Sequence, residues 1–580
     1  MVGLARPAIG LAQGGLLYLL ARALDDQVLP PLVFAAVLAV SYAVPLVVVA
    51  GLTALRPRTL ALWIGLATAV CASVGAYDIL RDPVTAAGAA RFVPGVLMWL
   101  GLAAILFIVQ AMVTAGDAER RLVATYPRYR DVAWTLAIRI ALAILFAGLF
   151  WGLLWLGAAL LDLVKVAFLR ELIVRRWFAF PVTTTMFALA FHVTEIRANL
   201  VGSMRILLLG LLSWLLPVMA VLALIFLLAL PFTGLEPLWQ TRHATAILLT
   251  AVVVLNLLIN AAFEDDGTEN RGPLVLRAGR MAAALVMLPL VVLAGYGLML
   301  RVAQYGFTPD RVLAAAGIVL ASCYMAGYAY AAVREPLVMR PVATTNVATA
   351  CVVVAVLLAL LSPLADPARI SVDDQVARLR AGRIDAEAFD YKFLRFDAGR
   401  HGVAALQRLA ADPPGPDAAL VAERSRAELK ATRREQVATR PSPPVTPERR
   451  KANISVMYPA ERALPESFLQ NDWSFLPNRW ELPRCLSADA KCKAALIDLD
   501  EEGGDEILLF NVGPGTSKAF KQVGNGDWTM LGTIINAHCQ SARDAVSVGA
   551  FSVVKPALKE IEAGGQRLYI DQRGIANCNR

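Results

Sequence analysis

Two neighbouring stretches decide the fold: ILLLGLLSWLLPVMAVLALIFLLALPF at residues 206–232 and ATAILLTAVVVLNLLINAAF at 244–263. Neither contains a charged residue, and neither shows the polar stripe that a surface helix of a soluble domain presents to water. About 20 apolar residues in helical form cover the hydrocarbon thickness of a bilayer, so each is read as a membrane span. Working outward, similar runs recur through the first 365 residues. The spans are expected at 7–24, 31–53, 59–79, 92–113, 134–162, 180–196, 206–232, 244–263, 281–303, 310–333 and 342–363. The sixth, PVTTTMFALAFHVTEI, is the weakest, being short and carrying His192 and Glu195; an even count of spans follows if it lies only in the interface. The expected fold is mainly α: a polytopic helical membrane bundle of about 11 spans, followed by a small β-rich, disulfide-containing soluble domain.

Composition agrees. Hydrophobic residues make up 58% of the chain and charged residues 17%, against about 25% charged in soluble proteins. The net charge of +9 resides almost wholly in residues 1–365, which hold 25 Lys and Arg against 17 Asp and Glu. Basic excess in short loops marks membrane topology rather than phosphate binding, so no nucleic-acid partner is expected.

The loops also suggest an orientation. With the N-terminus cytoplasmic, inside loops carry fourteen arginines, among them Arg6, Arg56, Arg128 and Arg205; outside loops carry Arg81, Arg91, Arg242 and Arg311. The exception, Lys165, Arg170, Arg175 and Arg176, would lie outside; VKVAFLRELIVRRWFAF there reads as an amphipathic interfacial helix with Trp177 and Phe180 at headgroup level. Arg6 and Ala21-Arg22-Ala23 resemble signal-peptide features, but Asp25–Pro31 leads directly into another span, so the first run is read as an uncleaved span. Eleven spans then place the C-terminus outside the cytoplasm.

Four cysteines reinforce that placement. Cys71, Cys323 and Cys351 lie within spans and read as small packing residues, whereas Cys485, Cys492, Cys539 and Cys578 all fall in the last 96 residues. Four cysteines allow three pairings; close spacing favours Cys485 with Cys492, leaving Cys539 to Cys578. No C-x-x-C pair exists, which argues against a zinc ribbon, and disulfides require an oxidising compartment.

The tail divides into three expected pieces. Residues 366–411 have apolar positions three or four apart and read as a short helical segment. Residues 412–452 read as a Pro- and charge-rich linker with a short exposed helix. Residues 453–580 read as a soluble β-rich domain, with strands at KAALIDLD, DEILLFN, KAFKQVG, WTMLGTII, SVGAFSVV and QRLYIDQ. Where the first two runs meet, Asp498, Asp500, Glu502 and Glu506 surround Gly503-Gly504. Alternate acidic oxygens ahead of a tight turn can wrap Ca²⁺, and the loop is similar to D-x-D-x-D-G loops of FG-GAP type, departing from them at Glu502. The competing reading is a solvated acidic turn. Calcium is the one cofactor the sequence suggests.

Three further stretches carry a family resemblance: YPRYRDVAWTLAIRIALAILFAGLFWGLLWLGAALL at 126–161, LIFLLALPFTGLEPLWQTRHATAILLTAVVVLNLLINAAFEDD at 224–266, and AFDYKFLRFDAGRHGVAALQRL at 388–409. The chain resembles an uncharacterised family of bacterial multi-pass inner-membrane proteins known only as a domain of unknown function. The resemblance covers most of residues 1–411 and implies an architecture and a bacterial envelope location, but no activity, cofactor or site residue. The domain at 453–580 lies beyond it.

Polar side chains inside spans are costly and usually face a bundle interior or an aqueous cavity. Here they are Gln13, Gln110, Arg139, His192, Glu195, Asn256, Asn260 and Asn346. Asn256, Asn260 and Glu264 share one helix face, as do His192 and Glu195. The functional reading is a polar path or pocket; the structural one, favoured because each such residue has a simple structural use, is amide glue between helices, with Arg139 snorkelling to the interface.

Three function classes remain. The first is a non-enzymatic envelope anchor, sensor or assembly component, whose periplasmic module binds a protein or glycan. The second is a transporter or lipid flippase. The third is a lipid-linked transferase using Asp25 and Asp26. The absence of a Walker loop, serine elbow or H-E-x-x-H from the sequence favours the first. The expected location is a bacterial inner membrane, with the N-terminus cytoplasmic and the C-terminal domain periplasmic.

Overall fold

The computed structural model describes residues 2–82, 91–235, 244–263, 273–336, 338–431, 446–471, 473, 482–487, 490–499, 503–511, 517–523, 526–534, 544–545, 548, 550, 561–563 and 566–568. Two compact units divide the chain, Met1–Val437 and Ala438–Arg580.

The first unit begins with α1 (Val2–Asp25), α2 (Pro31–Gly51), α3 (Pro57–Arg81), α4 (Val96–Glu119) and α5 (Tyr126–Leu163). A short α6 (Phe168–Ile173) precedes α7 (Arg176–Ile196), and α8 (Ala198–Thr233), α9 (Ala244–Ala262), α10 (Leu274–Tyr305), α11 (Pro309–Arg334) and α12 (Pro341–Leu360) follow. Among the described residues, eleven helices are long and apolar enough to cross a membrane, as the apolar runs predict. Three extend well beyond those runs: α5 begins at Tyr126 rather than near 134, α8 at Ala198 rather than 206, and α10 at Leu274 rather than 281. Helical hydrogen bonding continues into polar sequence until a breaker stops it, whereas hydropathy marks only the part matched to lipid. The single amphipathic helix expected across Lys165–Phe180 is not formed. Arg175 is extended, with φ −73° and ψ 123°, so α6 ends before it and Trp177 belongs to the first turn of α7.

The sixth span is integrated through α1. Gly10 and Gly14 lie four apart on one face, and a Cβ at Gly14 would fall 2.2 Å from Pro181 Cα. A Cβ at Gly10 would fall 2.6 Å from the Thr184 backbone oxygen. Small residues at this spacing let two membrane helices approach backbone to backbone. Two larger apolar cores flank this pair. One gathers Val47, Trp63, Cys71, Met98 and Leu102 from α2, α3 and α4. The other gathers Leu216, Leu255, Met287 and Tyr328 from α8, α9, α10 and α11.

After α12 the chain stays within the first unit. Helices α13 (Pro367–Arg380), α14 (Tyr391–Phe396), α15 (Gly399–Ala411) and α16 (Ala418–Lys430) bury Val372, Phe389, Leu394, Leu406 and Val421 in a core of their own. Asp366 caps α13 by accepting from the Ala368 amide at 2.8 Å, and the Tyr77 hydroxyl donates to the same carboxylate at 2.6 Å. Arg378 donates to the carbonyls of Ala303 and Gln304, and Gln375 to those of Tyr305 and Phe307. The first three of these carbonyls belong to the last turn of α10, where a helix leaves backbone acceptors unpaired, and Phe307 follows just after it. The helix expected to be exposed within 412–452 is α16, and it is packed: Val421 and Ala422 are buried. Its apolar positions at 420–422 complete the face left open by α15, a contact that its charged composition conceals.

The second unit starts with α17 (Pro447–Asn453) and β1 (Ile454–Tyr458), followed by α18 (Glu466–Gln470), α19 (Arg484–Ser487), β2 (Cys492–Ile497), β3 (Glu506–Asn511), β4 (Lys518–Val523) and β5 (Asp527–Thr533). These five strands form one sheet in sequence order, with β1 parallel to β2 and the remaining pairs antiparallel. A separate ribbon pairs β6 (Ile561–Ala563) with β7 (Gln566–Leu568). Strand β1 was not expected from the sequence; most of the run SVGAFSVV lies outside the described residues. Phe468, Trp473, Phe520 and Trp528 meet edge to face with centroids 5.1–5.5 Å apart, over Ala494, Ile507 and Leu509.

Candidate functional site

His192 and Glu195 share the last turns of α7, and the structure adds Arg6 of α1 to them. Arg6 is wholly buried. It forms an ion pair with Glu195, and also donates to Val49 O at 2.9 Å and to Thr53 Oγ1 at 2.8 Å, with His192 Nδ1 at 3.3 Å. The Thr53 hydroxyl in turn donates to Glu195. Arg139 of α5 stands farther from the same carboxylate, at 3.8 Å, and its Nε is buried without a hydrogen-bond partner. A guanidinium presents five donors in a fixed fork, and here the acceptors come from α7 and from the end of α2 with the residues just after it.

Asn256 and Asn260 of α9 enter a second network with Tyr126, Tyr328 and Asn346. Asn260 Nδ2 donates to the Tyr328 hydroxyl at 2.8 Å, and Asn346 Nδ2 donates to Asn260 Oδ1 at 2.6 Å and to the Tyr126 hydroxyl at 2.9 Å. The Tyr328 hydroxyl has acceptors in both Asn256 Oδ1 (2.8 Å) and Asn346 Oδ1 (2.5 Å). Five side chains thereby join α5, α9, α11 and α12, the arrangement of interhelical glue. Glu264, assigned to the same face, lies outside the described residues. Gln13 donates to Tyr42 O at 2.8 Å, and Gln110 accepts from Trp63 Nε1 at 2.7 Å. Both serve packing.

Between these networks the bundle is hollow. A cavity of about 360 Å³ is lined by Arg128, Asp131, Arg139, Glu195 and Arg205, with Thr114, Thr135 and Gln110. Arg205 pairs with Asp131 at 2.9 Å. An adjoining cavity of about 210 Å³ is almost entirely apolar, walled by Tyr42, Leu46, Trp99, Leu102, Phe107, Ile140 and Phe187. Ala50, Gln110, Leu136 and Phe191 line both. The charged cavity sits where α5 and α8 begin and α2, α4 and α7 end. The apolar one runs deeper along α2, α4, α5 and α7.

Elsewhere the acidic groups have local uses. Asp25 pairs with Arg176 at 2.7 Å. Asp78 accepts from Arg81 at 2.6 Å, Arg91 at 3.0 Å and the Gly95 amide at 2.7 Å. Burial raises the Asp82 carboxyl, opposed by Arg91 and Arg81. Burial likewise lowers the His401 imidazole, partly offset by Asp366 at 3.6 Å.

In the second unit Cys485 and Cys492 are bonded, with Cα atoms 5.8 Å apart and both residues buried. Cys539 and Cys578 lie outside the described residues. Of the acidic loop, Asp500 and Glu502 also lie outside them. Asp498 Oδ2 accepts from the Gly503 amide at 3.1 Å, and the buried Glu506 accepts from the Leu499 amide at 2.7 Å. Both carboxylates shape the β2–β3 turn. Among the described residues, no three His, Cys, Asp or Glu side chains gather as a metal site would require. The sequence left Arg6, Tyr126 and Tyr328 unremarked as partners, because local spacing reveals a shared face but not what meets it across the bundle.

Comparison with known proteins gives one match. The family model described as a domain of unknown function, DUF4153, matches residues 15–409. No curated protein and no solved structure matches.

Proposed function

This chain belongs to the DUF4153 family of unknown function, and from that premise we propose that it is an integral protein of a bacterial inner membrane that carries a binding module on the periplasmic side. The observation that carries the reading is the buried Cys485–Cys492 disulfide in the second unit, because such bonds persist in oxidising compartments and are rare in the cytosol. The arginine bias of the loops supports the same sidedness: it leaves the N-terminus cytoplasmic and the chain crossing eleven times. The module is read as binding rather than catalytic, with an envelope protein or glycan as its partner.

Thiol labelling tests it. A maleimide that cannot cross the inner membrane is applied to intact cells and spheroplasts, before and after reduction under mild denaturation. Modification of Cys485 and Cys492 only after reduction, in unlysed spheroplasts, is the expected outcome. Thiols reached only after lysis would put the module in the cytoplasm and overturn the reading.

A transporter or lipid flippase is the second reading, and one observation favours it: the charged and apolar cavities that meet inside the first unit. Flux of a labelled lipid or solute in proteoliposomes distinguishes it from a static anchor. A lipid-linked transferase would use Asp25 and Asp26; Asp25 forms an exposed ion pair with Arg176, and no observation favours that reading.

A further inference from the structure

The two adjoining cavities in the first unit have the chemistry of one amphiphile. We propose that together they bind a membrane phospholipid with an anionic headgroup, its phosphate against Arg128, Arg139 and Arg205 and one acyl chain in the apolar chamber. Three arginines against two carboxylates leave the polar chamber cationic. Both carboxylates already have closer partners, Glu195 with Arg6 and Asp131 with Arg205. Arg139 is left with a contact of 3.8 Å and a buried Nε that no protein group satisfies. A phosphate oxygen is the acceptor such a fork takes most readily, often in bidentate geometry.

The apolar chamber decides between a lipid and a soluble anion. It follows α4 from Trp99 to Gln110, a helical rise of about 16 Å, and opens onto the arginines through the shared wall of Gln110, Leu136 and Phe191. The charged end lies where five helices terminate and the apolar end lies within the span of four of them, the same order in which a lipid arranges headgroup and chain. A free anion would fill the first chamber and leave the second with nothing to desolvate it. The inference does not depend on the sidedness of the second unit or on transport, so it stands or falls apart from the readings above.

The test uses the full chain in detergent, stripped of lipid and titrated with phosphatidylglycerol, with phosphatidylcholine of the same chains, and with glycerol 3-phosphate, bound species being counted by native mass spectrometry. Phosphatidylglycerol is expected to bind at least tenfold more tightly than phosphatidylcholine, about 1.4 kcal/mol. Arg128→Gln/Arg139→Gln should abolish that preference. Ala103→Phe, an exposed lining position, should block the chamber and weaken phosphatidylglycerol binding at least tenfold with the melting temperature unchanged. Arg128 is exposed, so Arg128→Gln alone keeps the test decisive where the double variant does not fold; a threefold loss is expected. Equal affinity for the two lipids would overturn the proposal, as would wild-type behaviour of these variants. Displacement of phosphatidylglycerol by an equal concentration of glycerol 3-phosphate would also overturn it, by assigning the cavity to a soluble anion.

Discussion

Arg6 lies wholly buried near the start of α1, where a guanidinium without acceptors would cost several kcal/mol. Its acceptors come from α7 through Glu195 and from the end of α2 through Val49 and Thr53. Removing one member of such a pair strands the other in low dielectric, whereas removing both leaves only apolar contact to rebuild. Arg6→Met and Glu195→Leu are therefore each expected to destabilise the detergent-solubilised protein by about 3 kcal/mol. The double variant should fall well short of the sum, as read by a double-mutant cycle on thermal unfolding. Strict additivity would mean that the pair is not coupled. The sequence made half of this cluster legible: His192 and Glu195 are three residues apart and must share a helix face. Arg6 is 189 residues from Glu195 and has no local signal beyond its charge, which fits equally well with loop topology. The same asymmetry holds for Asn256 and Asn260. Their spacing exposes the face, while Tyr328 and Tyr126 sit in apolar runs and look like ordinary packing residues.

Helix pairing follows the same logic one level up. Gly10 and Gly14 can be read from the sequence as a small-x-x-x-small face, but the helix that fills it follows five others in the chain. The partner surface is Pro181, Thr184 and Ala188 of α7, and this contact seats the least apolar span in the bundle. With no space for a Cβ at Gly14, Gly14→Leu must separate α1 from α7 and with them the Arg6–Glu195 pair. The expected result is loss of folded protein from the membrane fraction, judged by size-exclusion chromatography after solubilisation. Gly15 is the internal control, because nothing lies within 4 Å of a Cβ there; Gly15→Ala should elute as wild type. Because both substitutions raise helix propensity, failure of both would mean that the loss does not come from the α1–α7 contact at Gly14. Strand β1 escaped notice for a related reason. Its five residues, ISVMY, show no clean alternation, and its partner β2 is reached only by a parallel pairing across 38 positions, Ile454 with Cys492. Strands β2 to β5 join through short connections, so each turn signal announces the next strand.

At the scale of the molecule, hydropathy places a boundary near residue 365, while the compact units divide at Val437 and Ala438. The difference is physical: hydropathy registers where the chain leaves lipid, not where it stops being part of one packed body. Helices α13 to α16 are amphipathic and water-compatible on one face, yet Arg378 and Gln375 supply donors to the end of α10, and Asp366 joins Tyr77 of α3. The family match, which ends at residue 409 within α15, cuts across the hydropathy boundary in the same way. The helical segment should then be required by the membrane helices and the disulfide-bonded unit dispensable to them. A chain ending at 437 is expected to accumulate in membranes and to run as a single species after solubilisation. One ending at 365 leaves the α10 carbonyls, otherwise met by Arg378 and Gln375, without those donors and should aggregate or be degraded. Equal yields of the two would mean that those contacts are incidental, with water serving the helix ends as well as α13 does.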